Sequence, residues 1–250
     1  MLEDVLNQSK TAIAAFLDVD GTLLDIAPTP DTVNVPPHVP ALLYRLWLHL
    51  DGALALVSGR SLEDVDRLFS PYRFPGVGTH GCEVRESSGC VAIGNVDPLA
   101  VHELHEEIGM FEFCAPGVLV EYKPFGAAVH YRLSPEAEPE VATAVHSTLA
   151  KLGSSFSLQR GKYVYEIKPT GFSKGRAIRA LMEQWPFQGR HPLFIGDDQT
   201  DESGFEAVNL AGGTSVRVGP SSEISLARHS VGTPAQVHAL LAALVRESGD

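Results

Sequence analysis

Cysteine is scarce. The 250 residues contain three, Cys82, Cys90 and Cys114, with no CxxC pair and no even number to build a framework from. A disulfide scaffold is therefore not expected, and a reduced, cytoplasmic compartment is. No apolar run approaches the length that spans a bilayer, so no membrane helix is expected. The opening MLEDVLNQSK carries acids early and lacks the basic start and apolar stretch of a signal peptide. Basic residues are the minority, 19 against 31 acids, for a formal net charge of −12. That balance argues against a nucleic-acid partner, which needs a basic surface. It leaves room for a small phosphorylated ligand, because a metal ion or a few basic residues can make a local positive site. Internal repeats and low-complexity segments are also missing.

Hydrophobic residues make up 44% of the chain and charged residues 20%, the balance of a soluble globular protein with a real core. The length suits one large domain, or a core domain carrying a smaller inserted one. Ile13 to Leu17, Ala53 to Val57 and Leu193 to Ile195 are short apolar runs that end at Asp, Ser or Gly-Asp. Such runs predict strands buried on both faces, as in a parallel sheet. Between the first two, Val39, Leu42, Leu43, Leu46 and Leu50 recur at helical spacing. A second helix is predicted from Ser61, with Glu63 and Asp64 in its first turn, to about Phe69. The stretch Pro28 to Pro40 predicts a long loop. Strand–helix–strand repetition predicts a doubly wound α/β core.

The middle of the chain differs. Leu119 to Tyr122 pairs with Ala127 to Leu133, and Ser155 to Leu158 with Tyr163 to Lys168, as two hairpins, with Gly161 at the second turn. Helical patterns at about Pro98 to Gly109 and Pro135 to Leu152 separate them. This predicts an α+β module, residues 82–168, inserted into an α/β core made of residues 1–81 and 169–250. The core resumes with a helix from Ser173 to Gln184, a strand ending at Ile195, a helix near Glu202, a strand from Ser215 to Val218 and a last helix from about Pro234.

Polar residues cluster at or beside the predicted core strand ends: Asp18-Val-Asp20-Gly21-Thr22, Ser58-Gly59-Arg60, Lys174-Gly175, and Gly196-Asp197-Asp198-Gln-Thr-Asp201-Glu202. In an open parallel sheet, ligands bind beyond the carboxyl ends of the strands, so these distant segments are expected to meet there. Their types fit phosphoryl transfer. One carboxylate can attack phosphorus, a second can protonate the leaving oxygen and then take a proton from water. Clustered Asp oxygens suit Mg²⁺, while Lys174 and the Ser58 hydroxyl can stabilise the remaining phosphate oxygens. Alone, each segment also fits a turn, a loop or acids at a helix start; together, in this order, they point to one site.

The pattern DxDGT, then Ser, then Lys, then GDDxxD resembles the haloacid dehalogenase-like (HAD) phosphatase superfamily over essentially the whole chain. The resemblance implies a Rossmannoid parallel-sheet core with an inserted α+β (C2-type) cap. It implies Asp18 as nucleophile and Asp20 as general acid/base. Mg²⁺ would be held by Asp18, the backbone carbonyl of Asp20 and Asp197, with Asp201 supporting the metal shell or orienting Lys174 and Asp198 further out. Gly21, Thr22, Ser58, Gly59, Arg60 and Lys174 would surround the phosphate.

Within the insert and at its edges, "GTHGCE" (Gly78 to Glu83), "KPFGAAVHYR" (Lys123 to Arg132) and "YEIKP" (Tyr165 to Pro169) resemble the trehalose-6-phosphate phosphatases. EIKP stands where EIRP is commoner. On this resemblance Glu83, Lys123 and Glu166 contact sugar hydroxyls, His80 lines the cleft, and His130 and Arg132 bind sugar or support the cap fold. By residue type alone, the same set also fits a solvated sheet face with cross-strand ion pairs. His102 and His105, among acids on one helix, predict a solvated face. The implied partner is a small sugar phosphate, with neither nucleic acid nor membrane, and the chain is expected to be a monomer. Sucrose 6-phosphate and mannosyl-phosphoglycerate are the alternative substrates. A receiver-like phospho-acceptor that keeps its aspartyl phosphate is the alternative class.

Overall fold

The computed structural model describes residues 13–27, 32–113, 116–161, 163–220 and 224–246. The N-terminal decapeptide, the start of the Pro28 to Pro40 loop and Cys114 lie outside these residues. In chain order the elements are β1 (Ile13–Leu17), α1 (Val39–His49), β2 (Leu54–Val57), α2 (Leu62–Leu68), β3 (Gly76–Gly78), β4 (Glu83–Arg85), β5 (Val91–Ile93), α3 (Pro98–Gly109), β6 (Leu119–Lys123), β7 (Gly126–His130), α4 (Glu138–Leu152), β8 (Phe156–Gly161), β9 (Val164–Pro169), α5 (Lys174–Met182), β10 (His191–Gly196), α6 (Glu202–Leu210), β11 (Thr214–Val218), β12 (His229–Val231) and α7 (Pro234–Arg246).

The apolar runs behave as their composition requires. Every residue of β1 and of β2 is buried, and only a sheet covered on both faces can accommodate that. The sheet runs in the order β12-β11-β10-β1-β2-β3-β4-β5. The pairs from β12 to β3 are all parallel, with Leu17 opposite Ile195 on one side and Leu56 on the other. β1 and β10 therefore end level with each other at the centre of the sheet. Phe16, Phe187, Phe194 and Phe205 are fully buried in the core of this unit, and each such side chain contributes about 1.5–3 kcal/mol. Helix starts follow from capping. Ser61 Oγ accepts the Asp64 N–H at 3.1 Å and Ser173 Oγ accepts the Arg176 N–H at 3.2 Å, each satisfying a donor that the first helical turn leaves unpaired. Helix α1 opens with Val39 and has Pro40 in its first turn, so the Pro-rich loop ends at His38.

The chain divides into two compact units, Met1–Ala92 with Ser173–Asp250, and Ile93–Phe172. This corrects the boundary expected at 82–168. β4 pairs antiparallel with β3, Glu83 opposite Gly78 and Arg85 opposite Gly76, and β5 follows at the sheet edge. Residues after Cys82 thus extend the large sheet instead of opening the insert. At the other end, Pro169 still pairs with Phe156 and Thr170 N–H bonds Ser155 O, which prolongs the second unit.

The second unit has its own antiparallel sheet, β6-β7-β9-β8, and its own core. Ala127, Val129, Tyr165 and Ile167 pack with Leu104, Ile108, Val141 and Val145 from α3 and α4. Because side chains alternate across a strand, Ala128, His130, Glu166 and their cross-strand partners Glu121 and Gln159 fall on the opposite, polar face.

Candidate active site

The site begins where β1 stops. The Asp18 N–H still bonds Ile195 O at 2.9 Å, so the ladder carries Asp18 out of the sheet in fixed register. Asp18 is buried. Lys174, the first residue of α5, is buried too, and its Nζ lies 2.7 Å from Asp18 Oδ1 and 2.6 Å from Asp201 Oδ1. Asp201 is fully enclosed; its Oδ2 accepts the backbone N–H of Asp197 at 2.9 Å and of Asp198 at 3.1 Å. One carboxylate thus ties the GDD segment to the lysine, and charge-assisted bonds of this kind are the strong ones.

Two glycines let the segments close up. Gly21, at φ +79°, would carry a Cβ only 2.0 Å from Asp197 Oδ2, and a Cβ on Gly196 would meet Asp201 Cγ at 2.4 Å. Asp197 is thereby brought beside the DxDG loop. Ligand oxygens of Asp18, Asp197 and Asp201 all lie within 4.8 Å of one another.

Three carboxylates around one ammonium leave excess negative charge in a low-dielectric place. Burial, reinforced by Asp201, pushes the Asp18 carboxyl up to about 7 despite the Lys174 contact. Burial, with Asp18, Asp201 and Asp198 beside it, pushes Asp197 up as well. Burial opposes the Lys174 charge, but the two carboxylates outweigh it and hold the ammonium protonated. Hard oxygen donors with surplus charge fit a divalent cation such as Mg²⁺. With Asp201 spent on Lys174 and two amides, Asp18 and Asp197 are the side chains best placed to hold it. Asp198 sits differently. Its Oδ1 accepts the Gln199 N–H at 2.6 Å in a capping box closed by Asp201, so it shapes the loop and falls outside the cluster of three.

Ser58 follows β2, buried, and its Oγ accepts the Arg60 N–H at 3.1 Å. The Arg60 side chain, expected at the phosphate, engages Asp20. Its Nε and Nη2 lie 2.7 and 2.8 Å from the two oxygens of Asp20, a bidentate fork on the expected acid/base. Thr22 Oγ1 is buried with no hydrogen-bond partner, as suits a hydroxyl that serves a ligand.

The turn after β3 holds three successive left-handed residues, Thr79 (φ 44°), His80 (φ 52°) and Gly81 (φ 111°). It is wedged in place: a Cβ on Gly59 would strike the His80 ring at 2.3 Å, and one on Gly81 would strike Ser173 O at 2.7 Å. His80 thus packs beside Ser58-Gly59, and Gly81 beside the start of α5. Glu83, expected on sugar hydroxyls, places Oε2 on the Leu62 N–H at 3.1 Å and the Thr79 hydroxyl at 3.0 Å, bracing this turn.

On the polar face of the second unit, Lys123 bonds Glu166 across the intervening strand, passing small residues Gly126 and Ala128. His130 Nε2 lies 2.7 Å from Glu121 Oε2. Arg132 instead stacks on the Tyr163 ring, 5.8 Å from its centroid. His105, expected on a solvated face, is half-buried, and its Nε2 lies 2.9 Å from Gly126 O. Gln159, opposite Glu166, escaped the sequence reading; its Oε1 is buried without a hydrogen-bond partner. The one available signal was its place two residues before Gly161, on the parity of the polar face.

A family model described as trehalose-phosphatase matches residues 16–232. A probable trehalose-phosphate phosphatase of Sinorhizobium fredii is 42% identical, covering 97% of this chain and 92% of its own. Trehalose-6-phosphate phosphatase of Escherichia coli is 44% identical, over 82% of this chain and 77% of its own. The C-terminal domain of Candida albicans trehalose-6-phosphate phosphatase superposes with a TM-score of 0.85 at 21% identity, over 98% of this chain and 96% of that one, a likeness of fold. The family match runs from β1, which delivers Asp18, through Lys174 and the GDD segment to β12, and the chain belongs to the trehalose-phosphatase family.

Proposed function

We propose that this chain hydrolyses trehalose 6-phosphate to trehalose and phosphate through an aspartyl-phosphate on Asp18. One observation carries the reading: buried Asp18, Asp201 and Lys174 gather with half-buried Asp197 at the end of the central strand, inside the span that matches the family. Lys174 engages Asp18 Oδ1, which leaves Oδ2 for attack on phosphorus. The bond from phosphorus to the sugar oxygen breaks as Asp20 gives that oxygen a proton. Asp20 then takes a proton from water, the water oxygen bonds phosphorus, and the Asp18 carboxylate is released with inorganic phosphate. Bound Mg²⁺ would offset the carboxylate charge and polarise the phosphoryl oxygens. Thr22 Oγ1, Ser58 and the Lys174 ammonium are the groups that would hold the remaining oxygens. The polar face bearing Lys123, Glu166, Glu121, His130 and Gln159 is the candidate surface for sugar hydroxyls.

Phosphate release from a panel of sugar phosphates tests the reading. Trehalose 6-phosphate should be preferred, Asp18→Asn should abolish turnover, and a chelator should do so reversibly. Comparable rates on sucrose 6-phosphate or on monosaccharide phosphates would remove the claim on trehalose while keeping the chemistry. Persisting activity in Asp18→Asn would remove the nucleophile.

A further inference from the structure

Away from the acidic cluster, two histidines from opposite ends of the sequence face each other on the core unit. His38 lies at the start of α1 and is exposed, and His238 lies on α7 and is half-buried. His38 Nε2 and His238 Nδ1 are 3.3 Å apart, with ring centroids 5.1 Å apart and planes at 81°. The other nitrogen of His238, Nε2, lies 2.8 Å from the carbonyl oxygen of Leu23. A carbonyl only accepts, so His238 Nε2 carries the proton, and in the neutral ring Nδ1 is a bare lone pair aimed at its neighbour.

We propose that His38 and His238 form a binding site for a late first-row transition cation of the Zn²⁺ or Cu²⁺ class, distinct from the Asp18–Asp197–Asp201 cluster. Two distances support coordination. With metal–nitrogen bonds of about 2.0–2.1 Å and a tetrahedral angle, two ligating imidazoles place their nitrogens about 3.3 Å and their ring centroids about 5.2 Å apart. Both values match those observed. A straight N–H···N hydrogen bond of the same length would hold the centroids farther apart, at about 5.6 Å, and 3.3 Å is already long for such a bond. The bond from His238 Nε2 to Leu23 O is the outer contact that metal-ligating histidines make, fixing tautomer and ring orientation. Among the described residues no third histidine, cysteine or carboxylate joins the pair, so water completes the coordination on the exposed side. Imidazole nitrogens select Zn²⁺, Cu²⁺ or Ni²⁺, whereas the all-oxygen cluster suits Mg²⁺, so the two sites sort cations by donor softness.

Occupancy would tie α1 to α7 and, through Leu23, to the catalytic loop. Leu23 and Leu24 both donate to Val19 O, and Gly21 donates to Leu24 O, so this carbonyl belongs to the turn that holds Asp18 and Asp20.

The test uses metal-free, full-length protein without an affinity tag, with millimolar Mg²⁺ present to occupy the carboxylates. Zn²⁺ uptake is followed by calorimetry, and Cu²⁺ by electron paramagnetic resonance. The wild type should take up one Zn²⁺ at this site and show Cu²⁺ coupled to two imidazole nitrogens. His38→Gln and His238→Gln should each weaken binding by about tenfold or more, since loss of an outer partner alone costs 10–100-fold. His38 is exposed, so its variant should melt like wild type in the absence of added Zn²⁺, which keeps the test clear of misfolding. The proposal is overturned if His38→Gln titrates like wild type, or if binding survives in both histidine variants and vanishes in Asp197→Asn.

Discussion

Replacing Asp201 by asparagine keeps the shape of a fully buried side chain and removes its charge. The carboxylate accepts three hydrogen bonds, from Lys174 Nζ on one oxygen and from the Asp197 and Asp198 amides on the other. An amide has one oxygen. If it keeps the two backbone donors, its NH₂ points at the Lys174 ammonium; turned the other way, its NH₂ points at two N–H groups. Either orientation sets donor against donor in a dry place. Hydrogen bonds to charged groups are worth about 1.5–3 kcal/mol each, and removing one partner of a buried ion pair costs about 3–5 kcal/mol. Relief of Asp18 and Asp197, both pushed up in part by Asp201, offsets some of this, so about 3 kcal/mol is expected. For a unit of 150–250 residues each kcal/mol moves Tm by about 2–4 °C, giving a loss of about 6–12 °C. Circular dichroism melts in chelator at neutral pH measure it. Asp198→Asn serves as the control, because asparagine caps a helix as well as aspartate, and its Tm should stay within about 2 °C, under 1 kcal/mol. Equal melts for Asp201→Asn and wild type would refute the claim that this carboxylate holds the lysine and the GDD loop together.

Gly175→Ala should prevent stable folding, because its Cβ would lie 1.9 Å from Ser203 O, backbone against backbone where α5 meets α6. Gly189→Ala, at φ +76° with nothing within 4 Å, should cost only about 1–2 kcal/mol in a denaturant titration. Gln159→Ala should raise KM for the preferred sugar phosphate about tenfold, roughly one hydrogen bond, with kcat little changed; an unchanged KM would remove Gln159 from the sugar face. Burial alone would raise Glu121, but His130 and Lys123 outweigh it and hold the carboxyl below its usual range. A carboxyl lowered on folding adds stability above its unfolded value, and that increment is lost as pH falls through the lowered folded value. Wild type should therefore lose its advantage over Glu121→Gln as pH falls below the ordinary glutamate value of 4.5, a difference under about 1 kcal/mol because the side chain is 36% exposed.

The features that could be read from sequence are those a segment encodes by itself. Period and burial marked β1, β2 and β10, Ser61 and Ser173 marked helix starts, and acids placed after buried runs marked the site, since chain geometry delivers them to one end of a parallel sheet. Features that depend on a neighbour were hidden. Nothing in Glu83 to Arg85 says that β4 will pair with β3 instead of opening the insert. Arg60 has a long stem, and only the fold shows that its fork meets Asp20. Thr79, a β-branched residue, does not announce a left-handed backbone, so the sharp turn that seats His80 was invisible. Gln159 became notable only when its oxygen proved to be buried and unpaired.

That turn has a consequence for engineering. Two consecutive non-glycine residues at positive φ hold about 1–3 kcal/mol each of unfavourable conformation, so a screen for thermostability should be drawn to glycine or asparagine at positions 79 and 80. Such gains would be deceptive. Glycine at 79 gives up the hydroxyl braced by Glu83, and glycine at 80 empties the contact that fills the space beside Gly59. The hardiest variants from that screen should be the ones whose Ser58-Gly59 loop has lost its support.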